Sequence, residues 1–231
     1  MILVACGLKR EAAIIARAGV RVIAGGGDLA RLEAELAAAT AGATAVLSCG
    51  IAGALAPGLK AGDVAIGDLH PDTPSATFPG QGQDLAAQGP LLDPCLHRGS
   101  NLLEWLQQHL PYAHRGTIIG TDRIIGSVAE KTGLYGRTGA IAVDMESHIA
   151  ARIAAGHGLP FAILRTISDT ADHALPPAAL VGMRPDGGIA LGAVFASLAR
   201  NPGQLPALIR TGRDTEAAFR ALGRAIGAVI N

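Results

Sequence analysis

Aromatic residues are nearly missing from this chain, at 3% of 231 residues, although apolar residues reach 49%. Alanine carries much of that apolar share. It is a strong helix former whose small side chain lets helices pack closely, so many helices are expected. Net charge is missing too: 19 basic residues meet 19 acidic ones. That leaves no electrostatic footprint for a phosphate backbone and argues against a nucleic-acid partner. Cysteine is scarce, with only Cys6, Cys49 and Cys95. Their odd number, wide spacing and lack of a C-x-x-C pair indicate neither a disulfide framework nor a zinc knuckle, so they are read as buried thiols. No run of about 18 apolar residues escapes a charge or helix-breaking glycines, so no spanning helix is expected. Residues 1–7 are apolar but too short for a signal sequence, and they run at once into Lys9-Arg10-Glu11. They read as the first core strand of a cytoplasmic protein.

Several chemical signatures are absent as well. There is no G-x-G-x-x-G dinucleotide fingerprint, no H-E-x-x-H and no G-x-S-x-G, which disfavours a nicotinamide oxidoreductase, a metal site and a serine hydrolase. What is present is an alternation of short apolar runs with longer Ala/Leu/Arg/Glu stretches, the pattern of strands feeding helices in a largely parallel sheet. Strands are predicted at 2–6, 20–24, 45–49, 64–66, 116–119, 140–143 and 161–166. Helices are predicted at 11–18, 29–39, 101–110, 147–157, 188–199 and from 214 to about 229, with Pro202 and Pro206 breaking the segment between the last two. The fold class is α/β, a three-layer α/β/α arrangement around a central mixed, largely parallel sheet, in one domain spanning 1–231. The tail helix reads as a cover for the core or for an oligomer partner, with a membrane-peripheral position as the lesser alternative. Residues 70–94, crowded with Pro, Gly, Gln and Asp, form a long irregular stretch of the kind that carries function or contacts a neighbouring subunit.

In an open α/β sheet ligands bind beyond the carboxyl ends of the strands. One such end is Asp144-Met145-Glu146, and about twenty residues on another is Arg165-Thr166-Ile167-Ser168-Asp169. A carboxylate can accept hydrogen bonds from both hydroxyls of a ribose while a thioether packs on the sugar face. A second acid on the neighbouring strand can protonate a leaving base. Acids in a first helical turn are also favoured by the helix dipole without any function. A charge such as Arg165 inside an apolar strand must be paired, and Asp169 or an acid at 144 or 146 is its natural partner. Gly50 and Gly53, in Gly50-Ile51-Ala52-Gly53, can turn the backbone tightly and expose N–H groups toward a sugar or phosphate oxygen.

These residues, with Gly50 to Asp63, Val143 to Ser147 and Arg165 to Asp172 as three motifs in order over residues 1–180, resemble the purine nucleoside phosphorylase and nucleosidase superfamily, which includes methylthioadenosine/S-adenosylhomocysteine nucleosidase. With Leu175-Pro-Pro-Ala-Ala-Leu180 the motifs look most like the hopanoid-associated phosphorylase branch, which is thought to release adenine from adenosylhopane. The resemblance implies that Glu146 holds the ribose hydroxyls, Met145 packs on the sugar, and Asp169, oriented by Ser168, donates a proton toward purine N7. Glu11 then corresponds to the acid that activates water in the nucleosidases. Asp144, Gly50, Ile51, Ala52 and Arg165 join the expected substrate-binding set. Three departures stand out: the Gly7 to Glu11 loop is one residue shorter than in the nucleosidases, Ile51 replaces a common serine, and the Gly-Asp-Pro-x-Arg phosphate loop of hexameric phosphorylases is absent.

Cleaving an N-glycosidic bond builds positive charge on ribose and negative charge on the base, so the enzyme must supply an acid at the base and a nucleophile at the sugar. Glu11 argues for water. Lys9, Arg10 and Arg123 with the Gly50 turn could instead cradle phosphate as a co-substrate, and the subgroup resemblance leans that way. No cofactor and no metal are expected. The expected partners are a small-molecule nucleoside, which could be lipid-linked, and further copies of the chain in a homodimer or larger oligomer. A lipid-linked substrate would need an apolar opening near residues 70–94 or at Leu91-Leu92. A non-catalytic nucleoside-binding protein is the remaining rival.

Overall fold

The computed structural model describes residues 1–73, 102–181, 188 and 190–230. Side-chain alternation along the first strand, β1 (Ile2–Cys6), splits the core into two layers. Val4 and Cys6 join one cluster, which includes Leu47, Ile15 and the helical residues Leu222 and Ile226. Leu3 and Ala5 join another with Val46, Leu32 and Ile149. A strand whose two faces are both buried implies helices on both sides.

The elements follow in order as α1 (Lys9–Ile15), β2 (Val20–Ala24), α2 (Leu29–Ala38), β3 (Ala45–Ala54), β4 (Val64–Gly67), α3 (Leu102–His109), β5 (His114–Arg115), β6 (Ile118–Gly120), α4 (Val128–Thr138), β7 (Ala142–Asp144), α5 (Ser147–Gly156), β8 (Phe161–Asp169), α6 (Pro177–Leu180), α7 (Leu191–Arg200), a 3-10 turn (Pro202–Gln204) and α8 (Leu205–Val229). Among the described residues eight strands form one sheet in the order β2-β1-β3-β8-β4-β5, with β7 paired to β3 and β6 paired to β7. The pairs β2/β1, β1/β3, β3/β8, β4/β5 and β6/β7 are parallel, whereas β4/β8 and β3/β7 are antiparallel. The sheet is therefore mixed and largely parallel, flanked by helices, as the sequence predicts.

Four differences from the sequence reading affect the site. β3 and β8 run on to Ala54 and Asp169 instead of ending at 49 and 166. Their extensions contain Gly, Ser and Asp, which weaken a strand signal but are carried by pairing on both sides. α4 was not predicted at all. α8 begins at Leu205 with Pro206 in its first turn, where a proline's missing N–H costs nothing because that donor has no helical partner anyway. The helix expected from 188 begins at Leu191. Of the stretch 70–94, only 70–73 lies within the described residues, and Leu91-Leu92 lies outside them. The second half of α8 buries Phe219, Leu222, Ile226 and Val229 against the core, so the tail helix covers the protein's own sheet.

Candidate active site

The long second half of β3 organises the site. Its Gly53 lies between Asp169 of β8 and Val143 of β7, with the β8 register shifting between Ala52 and Gly53. This irregularity sets the ends of two distant strands on either flank of one residue, so Asp144-Met145-Glu146 and Ser168-Asp169 share one edge.

Arg165, completely buried on β8, is the hub of the first half. Its Nη2 donates to Ser48 Oγ at 2.6 Å and to Ser147 Oγ at 3.1 Å. Its Nε lies 2.9 Å from Asp144 Oδ2, and its Nη1 lies 3.5 Å from Glu146 Oε2. Nε and Nη1 are near these carboxylates without hydrogen-bond geometry, so the attraction there is mainly coulombic. Asp144 is spoken for on both oxygens. Oδ1 accepts the Glu146 and Ser147 backbone N–H groups at 2.9 and 2.7 Å, and Oδ2 faces Arg165 and the Ser147 hydroxyl. It therefore caps α5 and fixes Arg165, so Asp144 and Arg165 form the buried footing on which Glu146 stands. Arg165 pairs with 144 and 146, not with Asp169.

Glu11 enters this cluster from the first turn of α1. Its Oε2 accepts the backbone N–H groups of Gly7 and Leu8 at 2.8 and 2.7 Å, and its Oε1 accepts that of Ile51 at 2.7 Å. Two glycines make room for it. A Cβ on Gly50 would stand 2.6 Å from Glu11 Oε1 and 2.8 Å from Arg165 Nη1, and one on Gly7 would stand 2.7 Å from Glu146 Oε1. Gly50 thus serves the approach of Glu11 and Arg165, and the Ile51 amide is taken by Glu11.

Three buried carboxylates around one guanidinium leave a deficit of positive charge. Burial pushes Glu146 up to about 8, with Arg165 opposing and the Asp144 and Glu11 charges reinforcing the rise. Burial also raises Glu11, against the pull of Ile51, Arg165, Leu8 and Gly7. Cys6 and Cys49 lie beside this cluster as buried free thiols, held well above the ordinary thiol range by burial.

At the other strand end, Ser168 Oγ lies 2.8 Å from Asp169 Oδ1 and 3.2 Å from the Ala52 carbonyl. Ala52 therefore contributes a backbone acceptor that steadies Ser168. The partner of Asp169 is a residue the sequence analysis passed over. Lys131 of α4, with 0% exposure, places Nζ 2.5 Å from Asp169 Oδ2 and donates to the Thr170 and His173 carbonyls at 2.8 and 3.0 Å. All three ammonium protons have acceptors. The signal for α4 was present as a capping box: Ser127 Oγ accepts the Glu130 N–H at 3.2 Å, and Glu130 accepts back from the Ser127 N–H.

The residues expected to cradle phosphate are dispersed. Arg10 makes a two-pronged pair with Glu216 of α8 and stacks over Phe219, and Arg123 pairs with Glu130 at 2.7 Å. Met145 is half-buried beside Glu146. Among the described residues no group of three metal-ligating side chains occurs, and no helix is long and apolar enough to cross a membrane.

A mixed, largely parallel sheet flanked by helices is the nucleoside phosphorylase/hydrolase fold. The same architecture appears in the methylthioadenosine/S-adenosylhomocysteine nucleosidase of Neisseria meningitidis in complex with methylthio-immucillin-A, at TM-score 0.63 and 18% identity over 99% of this chain and 97% of that one. It appears too in futalosine hydrolase of Helicobacter pylori, at TM-score 0.55 and 19% identity over 98% of this chain and 96% of that one. A family model described as the phosphorylase superfamily matches residues 3–184. The chain belongs to the phosphorylase superfamily.

Proposed function

We propose that this phosphorylase-superfamily enzyme hydrolyses the N-glycosidic bond of an adenine nucleoside, with water as the nucleophile. The observation that carries the choice of water is the placement of Glu11. Its carboxylate takes the backbone amides of Gly7, Leu8 and Ile51, the donors that would otherwise bind an anion. Around it stand two more acids and one guanidinium. Such a site repels phosphate and favours the positive charge that grows on ribose in the transition state. Glu11, raised by burial, accepts a proton from the attacking water. Glu146 holds the ribose hydroxyls, Met145 covers the sugar face, and Asp169, fixed by Ser168 and Lys131, delivers a proton toward the departing purine. No phosphate co-substrate enters this scheme.

The substrate reading has two levels. Solved structures of like fold include a methylthioadenosine/S-adenosylhomocysteine nucleosidase and a futalosine hydrolase, and these support a purine nucleoside altered at its 5′ end. The form of the motifs, with Leu175 to Leu180, favours an apolar lipid 5′ group such as that of adenosylhopane in hopanoid side-chain synthesis over the general nucleosidase substrates. The buried free thiols Cys6 and Cys49 suit the reducing cytoplasm, and a homo-oligomer is the expected assembly.

Adenine release from adenosine, 5′-methylthioadenosine and 5′-alkyl analogues, with and without inorganic phosphate, tests both levels. The expected products are adenine and the free sugar at a rate indifferent to phosphate, with kcat/KM rising as the 5′ group lengthens. A strict phosphate requirement with a sugar 1-phosphate product would overturn hydrolysis. A flat or falling 5′ series would remove the lipid substrate.

A further inference from the structure

Large apolar side chains exposed to solvent are concentrated in one part of this molecule. Among the described residues Met1, Tyr112 and Val128 are scattered singly, but Leu180, Val181, Leu191, Phe195, Leu205 and Ile209 come from the end of α6 and the residue after it, α7 and the first turns of α8. α7 is the most unusual of these elements. None of its ten residues is buried, and Leu191 and Phe195, at positions i and i+4 on one helical face, are 62% and 66% exposed. The helix is nevertheless anchored. Gln204, buried at the α7–α8 junction, donates to the Ser197 carbonyl at 2.9 Å and to Ser197 Oγ at 3.1 Å, and accepts the Ala178 N–H of α6 at 2.8 Å. The apolar face is therefore held outward by specific hydrogen bonds, at a cost in exposed apolar surface that a folded protein ordinarily avoids.

Charge identifies what could cover it. From Gly187 to Arg213 the sequence holds three arginines, Arg200, Arg210 and Arg213, and no acidic residue. A second copy docking face to face on a two-fold axis would bring the same arginines together. An anionic lipid surface answers the arginines and accepts the leucine and phenylalanine side chains below its headgroups, which is how interfacial helices bind. α7 lies beyond residues 3–184, the part matched by the superfamily model. Its neighbour α8 contributes Ala207, Arg210 and Thr211 to a cleft whose wall includes Asp169, Thr170 and His173, so the first turns of α8 adjoin the strand end that carries Asp169.

We infer that the outward face of α7 with the start of α8 is a membrane-docking surface for anionic phospholipid. The inference concerns binding to a lipid surface and stands whether or not the nucleoside reading holds. Co-sedimentation of the full chain with phosphatidylglycerol vesicles and with phosphatidylcholine vesicles tests it without any turnover. The protein is expected to sediment with phosphatidylglycerol at least about tenfold more strongly than with phosphatidylcholine and to be released by salt. Arg200→Gln and Arg213→Gln should each weaken partitioning about fivefold. The double variant Leu191→Glu/Phe195→Glu should abolish it while thermal unfolding stays unchanged, since both side chains are at the surface. Failure to sediment with phosphatidylglycerol overturns the inference, as does equal binding to both vesicles, or binding that survives both sets of substitutions. Sedimentation velocity covers the rival occupant: an oligomer dissolved by Leu191→Glu/Phe195→Glu, with no vesicle binding by the parent protein, would assign this face to a second copy of the chain.

Discussion

Two buried acidic groupings sit at adjoining strand ends, and they differ in how many acids share a cation. At the end of β7, Glu11, Asp144 and Glu146 share the guanidinium of Arg165, and Glu146 rises to about 8. At the end of β8, Asp169 has the Lys131 ammonium at 2.5 Å and the Ser168 hydroxyl at 2.8 Å. The first grouping is short of positive charge, and a proton makes up the difference. The second has one cation for its one carboxyl group, with every ammonium hydrogen bond filled. Carboxyl groups at adjoining strand ends thus have different partners around them, and at the β7 end burial, reinforced by the neighbouring acids against a single cation, raises Glu146.

Removing the shared cation should have the largest effect. Arg165→Met leaves three buried acids uncompensated, and a loss of more than about 4–5 kcal/mol is expected in urea unfolding. A variant that unfolds within about 1 kcal/mol of the parent would show that the cluster does not depend on Arg165. Lys131→Met isolates one acid and should cost about 3–5 kcal/mol. Because the pair is one-to-one, adding Asp169→Asn should restore part of that loss, and strict additivity in the double-mutant cycle would break the contrast with the β7 end. Asp169→Asn alone keeps the size of the side chain and removes its transferable proton. Its kcat should fall about 10²- to 10⁴-fold with KM nearly unchanged, and retention of a tenth of the parent kcat would exclude Asp169 as the acid.

The last contrast is a pH dependence confined to the β7 end. The folded-state value of Glu146, about 8, lies above its ordinary 4.5, so the folded protein keeps a proton that the unfolded chain releases. Stability is then fully present below the ordinary carboxylate range and declines as pH rises toward about 8, with a slope approaching ~1.4 kcal/mol per pH unit. Glu11, shifted in the same direction, adds to that slope. Urea unfolding between pH 5 and 9 should show the decline, and Glu146→Gln should flatten it. A profile equally steep in Glu146→Gln would place the proton elsewhere. In kcat/KM the same group should appear as a limb rising to a plateau above about pH 8 if the ionised form holds the ribose hydroxyls.

Much of this was legible in the chain. The limits of β1 and β2 agree with the predicted 2–6 and 20–24 because those strands are short apolar runs, interrupted only by Arg21 in β2, between charged or glycine-rich turns. Asp144, Glu146, Ser168 and Asp169 stood out because polar residues that end apolar strands are conspicuous. α4 did not stand out, since its helical face offers few apolar residues, although the Ser127–Glu130 capping box marked its start. Lys131 was lost with it. The exposed face of α7 was equally illegible, because an apolar helix that is left in solvent has the same sequence signature as one that is buried.

By itself the sequence determined the alternation of strands and helices, the mixed sheet they build, and the acids that end two strands, because periodicity and residue type are local properties of a chain. Tertiary structure alone decided which cation answers which acid. Arg165 could have met 144, 146 or 169, and only the pairing of β3 with both β7 and β8 gives it to the first two and leaves Asp169 to a lysine 38 residues away. It also decided that Asp144 and the Ile51 amide would be spent inside the protein, because a buried polar group must find its partner wherever packing puts one.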